Sequence, residues 1–363
     1  MGSEWKEGEL GNLIRLQRGH DLTDSQRKPG NVPVMGSAGQ NGFHDTSKAK
    51  GPGIVLGRSG ASFGKVHFSR TDYWPHNTAL YVTDFQGNDE LFTYYFLNTI
   101  DFSSYNTGSA QPSLNRNHLY SIPVNLPPRP EQKAIAHILG TLDDKIELNR
   151  RMTATLEGMA QALFKSWFVG FDPVIDNAIE AGKPIPDELA PRAEIRRQAL
   201  ANGTANREAS KSFPSAFQFT EELGWIPEGW KAAKLCDLLE VKYGKDHKKL
   251  GDGGFPVYGS GGLMRHAESA LYKGESVLIP RKGTLSNILY LNEEFWTVDT
   301  MFYTIPKLAS VAKFCYYHLK SLDFSSMNVG SAVPSMTTKV LNALPVLKVT
   351  GQILDQFDEL IGS

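Results

Sequence analysis

The chain has 363 residues, of which 40% are apolar, and its 38 Lys and Arg against 39 Asp and Glu leave a formal net charge of -1. This length predicts two or three domains with cores of their own, and a near-zero charge neither indicates nor excludes nucleic-acid binding, which depends on where Lys and Arg cluster. The sequence shows no membrane span, no signal peptide, and no disulfide framework or zinc site around its two cysteines, Cys236 and Cys315, so we expect a cytoplasmic protein.

Residues 1–126 predict a strand-rich domain. Three β-rich runs, IVLG at 54–57, KVHFS at 65–69 and TALYV at 78–82, are bounded by Gly- and Pro-bearing turns, and Leu91–Ile100 predicts a short helix. The segment GASFGK at 60–65 resembles a nucleotide-binding loop. Its spacing is one residue short, however, and Val66 stands where Ser or Thr would bind magnesium, so we interpret it as a turn whose Lys65 contacts a phosphate.

The stretch Pro127–Asp172 predicts one long helix, Glu131–Phe168. Prolines at its start end the preceding segment and are tolerated in a first helical turn, and a helix of this length is a rod of roughly 57 Å. Steps of four and three residues predict a coiled-coil seam for a partner helix, formed by Ile135, Leu139, Leu142, Ile146, Asn149, Thr153, Leu156, Ala160, Leu163 and Trp167. The polar pair in its middle would fix register and partner. An ordinary amphipathic helix in a bundle is the alternative.

Residues 173–222 are polar, rich in Pro and Ala and weakly periodic, which predicts an irregular connector with one short helix near Glu194–Ala201. Residues 223–348 then return to the strand-rich pattern, with strands predicted at SVLIP 276–280, ILYLN 288–292 and MFYTI 301–305. A second helix begins at Ile353 and stops after about three turns, so it is predicted to be truncated relative to the first. One face of it would carry Leu354, Phe357, Leu360 and Ile361.

The two strand-rich segments are copies of each other, displaced by 222 to 225 positions. Trp5 matches Trp230, PVMGS at 33–37 matches PVYGS at 256–260, and GIVLGRSG around Arg58 matches SVLIPRKG around Arg281. The longest match pairs TYYFLNTIDFSSYNTGSAQPS at 93–113 with CYYHLKSLDFSSMNVGSAVPS at 315–335. A spacing this large indicates a tandem duplication rather than a solenoid.

No catalytic or metal constellation follows from the sequence. Asp143 and Asp144 lie among basic residues of the long helix, which favours a solvated or partner-facing surface over an acid–base pair. Of the histidines in the first copy, only His44 has an approximate counterpart, His266, so we expect no shared metal site. A GxSxG elbow and a dinucleotide fingerprint are also missing. Two copies of one domain on a rod indicate recognition rather than turnover.

The turn-rich loops of both copies carry side chains suited to reading DNA. Arg and Lys contact phosphates or guanine, and Asn and Gln suit adenine. The predicted DNA-binding residues are Arg18, Gln40, Asn41, Arg58, Ser59, Ser62 and Lys65 in the first copy and Tyr243, Lys245, Arg265, Arg281, Lys282, Thr284 and Asn287 in the second. Each could instead be a solvated loop residue. Because scaffold residues match between the copies while these residues differ, we expect one fold to read two different sequences.

The chain resembles the specificity subunits of type I restriction-modification systems over nearly its whole length. The resemblance rests on the central LPPRPEQKAIAHILGTLDDKIELNRRMTATLEGMAQALFKSWFVGFDPV, on LGWIPEGW at 223–230, and on GSAQPSLNRNHLYSIPVNLPP, echoed by GSAVPSMTTKVLNALPVLKV. It implies an α+β fold in which two pseudo-symmetric, strand-rich target-recognition domains are joined by a long coiled-coil helix. Each domain would read one half of a split site in double-stranded DNA.

The resemblance also implies the partners. The helices would dock methyltransferase subunits, a restriction and translocase subunit would join for cleavage, and S-adenosylmethionine would be held by the methyltransferase. This chain itself would carry no catalytic residue, cofactor or metal. Such subunits have two antiparallel conserved helices, and here the second is only begun, which leaves open whether the chain alone recruits both methyltransferases.

The predicted domains are target-recognition domain 1 at 1–126, the central conserved helix at 127–172, a connector at 173–222, target-recognition domain 2 at 223–348, and the start of a truncated C-terminal helix at 349–363. Two other interpretations stay open. A non-catalytic, two-headed protein adaptor or scaffold predicts binding that is insensitive to salt and to DNA sequence, whereas a fusion enzyme predicts turnover by the isolated chain. The specificity-subunit interpretation predicts an affinity that falls steeply with salt.

Overall fold

The computed structural model describes residues 5–108, 112–324 and 335–362. The chain divides into two compact units, Met1–Met152 and Thr153–Ser363, and each combines helices with strands, so the predicted α+β class is confirmed. Parts of the predicted repeat, residues 109–111 and 325–334, lie outside the described residues. In the part of the chain that is described, no helix is long and apolar enough to cross a membrane.

The first unit is built mainly of short strands. They are β1 (Lys6–Glu9), β2 (Arg15–Arg18), β3 (Val32–Gly36), β4 (Gly39–His44), β5 (Gly53–Gly57), β6 (Val66–Ser69), β7 (Trp74–Pro75), β8 (Ala79–Asp84) and β9 (Pro123–Leu126). The helices are α1 (Leu10–Leu13), α2 (Glu90–Leu97), α3 (Arg116–Leu119) and the first part of α4 (Arg129–Phe168). One sheet has the order β2-β8-β5-β6, a second has the order β4-β3-β7, and β1 pairs with β9.

Strand β5 is buried on both faces and links two parts of the first unit's core. Ile54 and Leu56 belong to the main apolar cluster together with Phe92 of α2. Val55 faces the other way and packs in a cluster with Tyr73. Because successive side chains of a strand point to opposite faces of the sheet, the continuous apolar run IVL serves both clusters.

The second unit has the same elements with additions. Its strands are β10 (Phe217–Thr220), β11 (Gly224–Pro227), β12 (Lys231–Lys234), β13 (Leu239–Tyr243), β14 (Phe255–Gly259), β15 (Gly262–Ala267), β16 (Tyr272–Pro280), β17 (Leu289–Thr297), β18 (Met301–Pro306) and β19 (Pro345–Lys348). Its helices, after the end of α4, are α5 (Asp172–Glu180), α6 (Ala190–Ala201), α7 (Arg207–Ser210), α8 (Leu235–Leu238), α9 (Val311–Lys320), α10 (Thr338–Ala343) and α11 (Gly351–Gly362). The main sheet has the order β13-β18-β16-β17-β14-β15, and β12 pairs with β19.

The strand pairing confirms the predicted duplication. The hairpin β3–β4 runs from the pair Val32↔His44 to Gly36↔Gly39, and the hairpin β14–β15 runs from Phe255↔Ala267 to Gly259↔Gly262. Each hairpin also joins a strand in parallel, β7 in the first unit and β17 in the second. The long strand β17 pairs with both β16 and β14 and so takes the places of β6 and β7.

One detail of the predicted alignment is wrong. His266 pairs with Pro256 as Phe43 pairs with Pro33, so His266 corresponds to Phe43, and the counterpart of His44 is Ala267. Matching one histidine to the other shifted the alignment of the two hairpins by one residue. The hydrogen-bonded strand pairs fix the true register, because a shift of one residue would turn every side chain to the opposite face.

The long helix α4 is confirmed and has 40 residues, beginning two residues before the predicted start. Its N-terminal part is anchored in the first unit by Gln132, which is buried. The amide nitrogen of Gln132 donates to Asn88 Oδ1 at 2.8 Å and to the carbonyl oxygen of Pro127 at 3.0 Å, and its oxygen accepts the N–H of Asp89 at 2.9 Å. All the polar groups of this buried amide that need partners therefore have them.

The C-terminal end of α4 belongs to the core of the second unit. Phe164, Trp167 and Phe168 join the main cluster of that unit, which also contains Trp230. Trp230 is consequently 1% exposed, whereas its counterpart in the first copy, Trp5, is 43% exposed. The aromatic side chains at the end of α4 thus help to bury Trp230 in the second unit. Trp5, at the equivalent position of the first unit, stays exposed.

The prediction of an irregular connector with one short helix is wrong in part. Helix α6 contains the helix predicted near Glu194–Ala201, but α5 and α7 are further helices of the same segment. Helix α5 buries Val174 and Ile175, and its Asp172 is bound by two guanidinium nitrogens of Arg192 on α6, at 2.6 and 2.5 Å. The Asp172 carboxylate is thus buried and ion-paired, although the segment is polar in composition. Of the apolar face predicted for α11, Leu354 and Phe357 are buried and Leu360 is exposed.

We predict that Asp176→Ala lowers the stability of the second unit by about 3 kcal/mol, because a mostly buried guanidinium loses its two hydrogen bonds to Asp176 and keeps only the more distant Asp172, at 4.0 Å. Arg196 is bound to Asp176 through Nε at 2.8 Å and Nη2 at 2.5 Å, and the two side chains are 16% and 2% exposed. Hydrogen exchange of the α5 and α6 amides measures the loss. The matched control is Glu194→Ala on α6, which breaks an exposed pair with Arg197 and should change stability by no more than about 0.5 kcal/mol. Equal effects of the two substitutions would contradict the prediction.

Candidate nucleic-acid interface

Arg58 lies at the end of β5 and organises the loop that follows it. Its backbone N–H donates to the carbonyl oxygen of Thr78 at 3.0 Å, and its carbonyl oxygen accepts the N–H of Leu114 at 2.9 Å. The guanidinium Nη1 donates to the carbonyl oxygen of Asn77 at 3.1 Å. The predicted residues Ser59 and Ser62 are half-buried in this loop, and Lys65 at its end is exposed.

Arg281 repeats this arrangement at the end of β16. Its N–H donates to the carbonyl oxygen of Thr300 at 2.8 Å, and its carbonyl oxygen accepts the N–H of Met336 at 2.9 Å. The guanidinium Nη1 donates to the carbonyl oxygen of Asp299 at 3.1 Å. Each guanidinium group therefore donates one hydrogen bond to a backbone carbonyl oxygen, and its other N–H groups can bind a ligand.

The predicted residues Arg18 and Tyr243 end equivalent strands, β2 and β13. The next residue is a glycine in both units. The N–H of Gly19 donates to the carbonyl oxygen of Ala79, and the N–H of Gly244 donates to that of Met301, both at 3.0 Å. A Cβ atom on Gly244 would collide with the backbone carbonyl group of Val298. A Cβ atom on Gly19 would likewise collide with a backbone carbonyl group in the first unit. Close backbone approach therefore requires glycine here, and it places Arg18 and Tyr243 at the same point of the two units.

A polar cleft of about 630 Å³ lies between these features in the first unit. Arg18, Arg58 and Arg116 line it, with Asp21 as an acidic neighbour, 3.6 Å from Arg18. The remaining lining residues are Gln17, Gly19, His20, Leu80, Thr107, Ser113, Leu114 and Asn115. Three guanidinium groups against one carboxylate make the cleft suitable for a phosphate or a guanine edge.

In the second unit, the equivalent position is occupied by an aromatic ring. The guanidinium of Arg281 lies 5.4 Å from the centre of the Tyr243 ring, a cation–π arrangement, and the Tyr243 hydroxyl is 3.4 Å from Thr338 Oγ1. The two units thus share the arginine but oppose it with different side chains, an arginine in one and a tyrosine in the other.

The tips of the hairpins β3–β4 and β14–β15 lie beside these loops. His67 Nε2 contacts the carbonyl oxygen of Ser37 at 3.1 Å in the first hairpin turn, and the Asn287 amide donates to the carbonyl oxygen of Ser260 at 2.9 Å in the second. The amide nitrogen of Asn287 is therefore engaged inside the chain. The side chains that follow each turn are exposed: Gln40 and Asn41 in the first unit, and Leu263 and Met264 in the second.

Arg265 has an organising role within the second unit. It donates to the carbonyl oxygens of His247 and Leu250 at 2.8 Å and to Asp252 at 2.9 Å. These bonds fix the preceding segment, in which Lys245, Lys248 and Lys249 are exposed. Lys248 and Lys249 were not among the predicted residues, although the run KDHKK at 245–249 was a visible signal. Lys282 and Thr284 are exposed as well.

The predicted helix seam is open along the middle of α4, where every residue from 141 to 156 is exposed. This stretch includes Leu142, Ile146, Asn149, Thr153 and Leu156. Towards the ends of the helix, Ile135, Leu139, Ala160 and Leu163 are half-buried and Trp167 is buried. A second apolar stripe, formed by Ile138, Leu148, Met152 and Met159, is exposed and was not predicted.

Asp143 and Asp144 are exposed, as expected for a solvated surface, and both also bind side chains of the first unit. The hydroxyl of Tyr95 donates to Asp143 Oδ2 at 2.7 Å, and Arg70 pairs with Asp144 at 2.6 Å. Burial of Tyr95, and then its hydrogen bond to Asp143, raise the pKa of the Tyr95 phenol, so the phenol remains a donor to the helix. The two carboxylates therefore connect α4 to other segments of the first unit, Asp143 through Tyr95 and Asp144 through Arg70.

A corresponding anchor joins α9 to the C-terminal part of α4. Glu157 accepts from Lys320 Nζ at 2.7 Å and from the Tyr317 hydroxyl at 3.1 Å. Burial alone would raise the pKa of Glu157, but the hydrogen bonds from Lys320, Gln161 and Tyr317 outweigh it and lower the pKa. Among the described residues, no group of three or more His, Cys, Asp or Glu could hold a metal ion.

The sequence pattern of the type I restriction modification DNA specificity domain matches residues 2–158 and 227–362. The chain is 33% identical over 156 residues to the type I restriction enzyme HindI specificity subunit of Haemophilus influenzae, and the match covers 38% of this chain and 34% of that protein. It is 26% identical over 198 residues to the MjaIX specificity subunit of Methanocaldococcus jannaschii, covering 53% of this chain and 37% of the other. These matches span about a third of each relative.

The fold is similar to the crystal structure of a type I restriction-modification system S subunit from M. genitalium. The TM-score is 0.61 at 18% sequence identity, and the alignment covers 99% of this chain and 89% of the other. At this identity the similarity concerns the fold.

We predict that Gly244→Ala destabilises the second unit by about 1–3 kcal/mol, because the added Cβ forces backbone apart. The substitution should also raise hydrogen exchange in the segment 245–252. Gly254→Ala is the matched control, since a Cβ there meets nothing within 4 Å, and it should leave both quantities unchanged. An unaltered Gly244→Ala protein would contradict the requirement for glycine.

Proposed function

The chain belongs to the family of the type I restriction modification DNA specificity domain, and on this premise we propose that it is the specificity subunit of a type I restriction-modification system. It reads a split target in double-stranded DNA with two target-recognition domains, residues 1–126 and 223–348. The observation that carries the proposal is the duplicated loop framework around Arg58 and Arg281, which presents different side chains at equivalent positions. One backbone scaffold with two sets of side chains suits two different half-sites.

The exposed lysines and arginines suit phosphates, and the hairpin tips suit base edges. Phosphate contacts position a protein on the duplex, whereas contacts to base edges choose the sequence. Lys65, Lys245 and Lys282 are exposed on the loops that surround the recognition elements. Their position supports a division in which lysines hold the backbone and the side chains between them enter the groove.

The partners follow from the same premise. We propose that α4 and α11 form docking surfaces for methyltransferase subunits, on residues 127–172 and 349–363, with residues 173–222 as the connector, and that a restriction and translocase subunit joins for cleavage. S-adenosylmethionine is held by the methyltransferase, and this chain carries no catalytic step. The exposed seam residues between 141 and 156 support docking on the helix. We place the complex in the cytoplasm, where its DNA substrate is.

We predict that Lys65→Ala and Lys282→Ala each weaken DNA binding about equally on all sequences, because they remove a phosphate contact. Each should also reduce the slope of log affinity against log salt by about one. Titration of the complex with a duplex at several salt concentrations measures both quantities. Lys211→Ala is the control, since it removes the same charge from a side chain paired with Glu208 and should leave the slope unchanged. A slope change equal to that of the control would contradict phosphate contacts at Lys65 and Lys282.

We predict that the double substitution Leu142→Glu and Leu156→Glu abolishes methyltransferase docking while the chain remains folded. Both side chains are exposed, at 53% and 58%, so the charges cost little in the free chain but oppose burial in an interface. Co-purification with the methyltransferase measures the loss of docking, and thermal unfolding of the free chain measures whether it remains folded. Glu147→Gln on the same stretch of helix is the control and should retain docking. Retained docking of the double variant would place the interface elsewhere.

The experiment that tests the whole proposal is co-expression with a type I methyltransferase subunit, followed by mapping of adenine methylation across the host genome. A split motif supports the proposal, and exchanging residues 58–65 or 281–287 should alter one half of it only. Absence of methylation together with DNA binding that is insensitive to salt and sequence would overturn it and favour a two-headed protein adaptor.

A further inference from the structure

The hairpins β3–β4 and β14–β15 place their tip side chains at the same points but give them opposite chemistry. Gln40 pairs with Met35 as Leu263 pairs with Tyr258, and the next residue in each strand lies over an equivalent glycine. A Cβ on Gly36 would lie 3.1 Å from the Asn41 amide nitrogen, and a Cβ on Gly259 would lie 2.6 Å from the Met264 sulfur. The pairs Gln40–Asn41 and Leu263–Met264 are therefore structural equivalents.

The apolar pair is more than half exposed in its own unit. Leu263 and Met264 are each 55% exposed, and neither side chain can hydrogen-bond a base in the way that the amides of the first unit can. Two adjacent large apolar side chains at a hairpin tip lose favourable burial energy as long as they face water. A surface of this kind is typical of a binding site.

The surroundings of the pair indicate a nucleic acid as the occupant. Arg265, the next residue, fixes the segment that exposes Lys245, Lys248 and Lys249. Lys282 is exposed on the loop whose Asn287 amide holds the turn of this hairpin. An apolar tip beside a segment with three exposed lysines and two exposed carboxylates, Asp246 and Asp252, fits the base edges of a duplex, where phosphates flank the groove on both sides.

We propose that the second unit reads its half-site through apolar contact of Leu263 and Met264 with the 5-methyl groups of thymine in the major groove, whereas the first unit uses the amides of Gln40 and Asn41. The methyl group of thymine is the apolar feature that a base pair presents in that groove, and amides pair with adenine. This inference rests on the proposed function. It assigns part of the difference between the half-sites to one pair of positions in each unit.

The test uses the full chain in complex with the methyltransferase subunit and duplexes that carry the mapped target. Each thymine of the half-site read by the second unit is replaced in turn by deoxyuracil, which lacks only the 5-methyl group. The wild-type complex should lose about fourfold in affinity at each of one or two positions, the amount expected for one buried methyl group. Uracil in the other half-site should have a smaller effect.

A double-mutant cycle ties the effect to the two side chains. Leu263→Ala with Met264→Ala should bind the thymine duplex more weakly and show no further loss on the uracil duplex. Gln40→Ala with Asn41→Ala is the matched control and should weaken recognition of the first half-site while it keeps the uracil effect in the second. The exchange of Leu263→Gln with Met264→Asn should change the methylated motif in the second half alone.

Three outcomes would overturn the inference: no uracil effect at any position, an unchanged uracil effect in the alanine variant, or a second half-site without thymine on either strand. If the wild type shows no uracil effect and unstacks a 2-aminopurine probe, and the alanine variant still loses affinity, the pair is instead a wedge between bases. Binding to the unmodified duplex is measured in the same titration. Failure of that binding overturns the proposed function, whereas intact binding without a uracil effect overturns this inference alone.

Discussion

The backbone hydrogen bonds that hold the loop framework are the constraint on which the rest of the molecule depends. In both units, the residue after the central strand donates its backbone N–H to one chain segment, and its carbonyl oxygen accepts an N–H from another. Arg58 does so with Thr78 and Leu114, respectively. These bonds use main-chain groups, which every residue except proline supplies in full. The side chains on the framework can therefore change without loss of the loop geometry, and the two copies differ there while their ladders keep the same register.

The long helix α4 combines fixed ends with an open middle. Gln132 is buried and fully hydrogen-bonded in the first unit, and Phe164, Trp167 and Phe168 are core residues of the second. Between them, residues 141–156 are exposed throughout, and apolar residues occur on two stripes of that surface. The middle of this helix can bind another helix or protein, because its packing within each unit uses mainly its ends, with Asp143 and Asp144 as surface contacts in between.

Internal pairing explains why individual site residues were hard to assign from sequence. Arg265 and Asn287 have the composition of base-reading residues, yet their donors are engaged with backbone carbonyl oxygens of their own unit. Asp172 and Asp176 look solvated in the sequence, yet they are buried partners of Arg192 and Arg196. A polar residue type does not reveal its partner, which lies far away in the chain. Leu263 and Met264 were overlooked for the opposite reason, because apolar residues in a strand pattern usually indicate a core.

The sequence by itself determined the long helix, six of the strands, the α+β class and the duplication, because these depend on local periodicity, proline positions and self-similarity over hundreds of residues. The tertiary structure alone decided the register that equates Arg18 with Tyr243 and Gln40 with Leu263. It also decided which charges are paired and which apolar side chains remain exposed. These properties depend on contacts between residues distant in the chain, and burial and pairing are set only when the sheets and helices close around them.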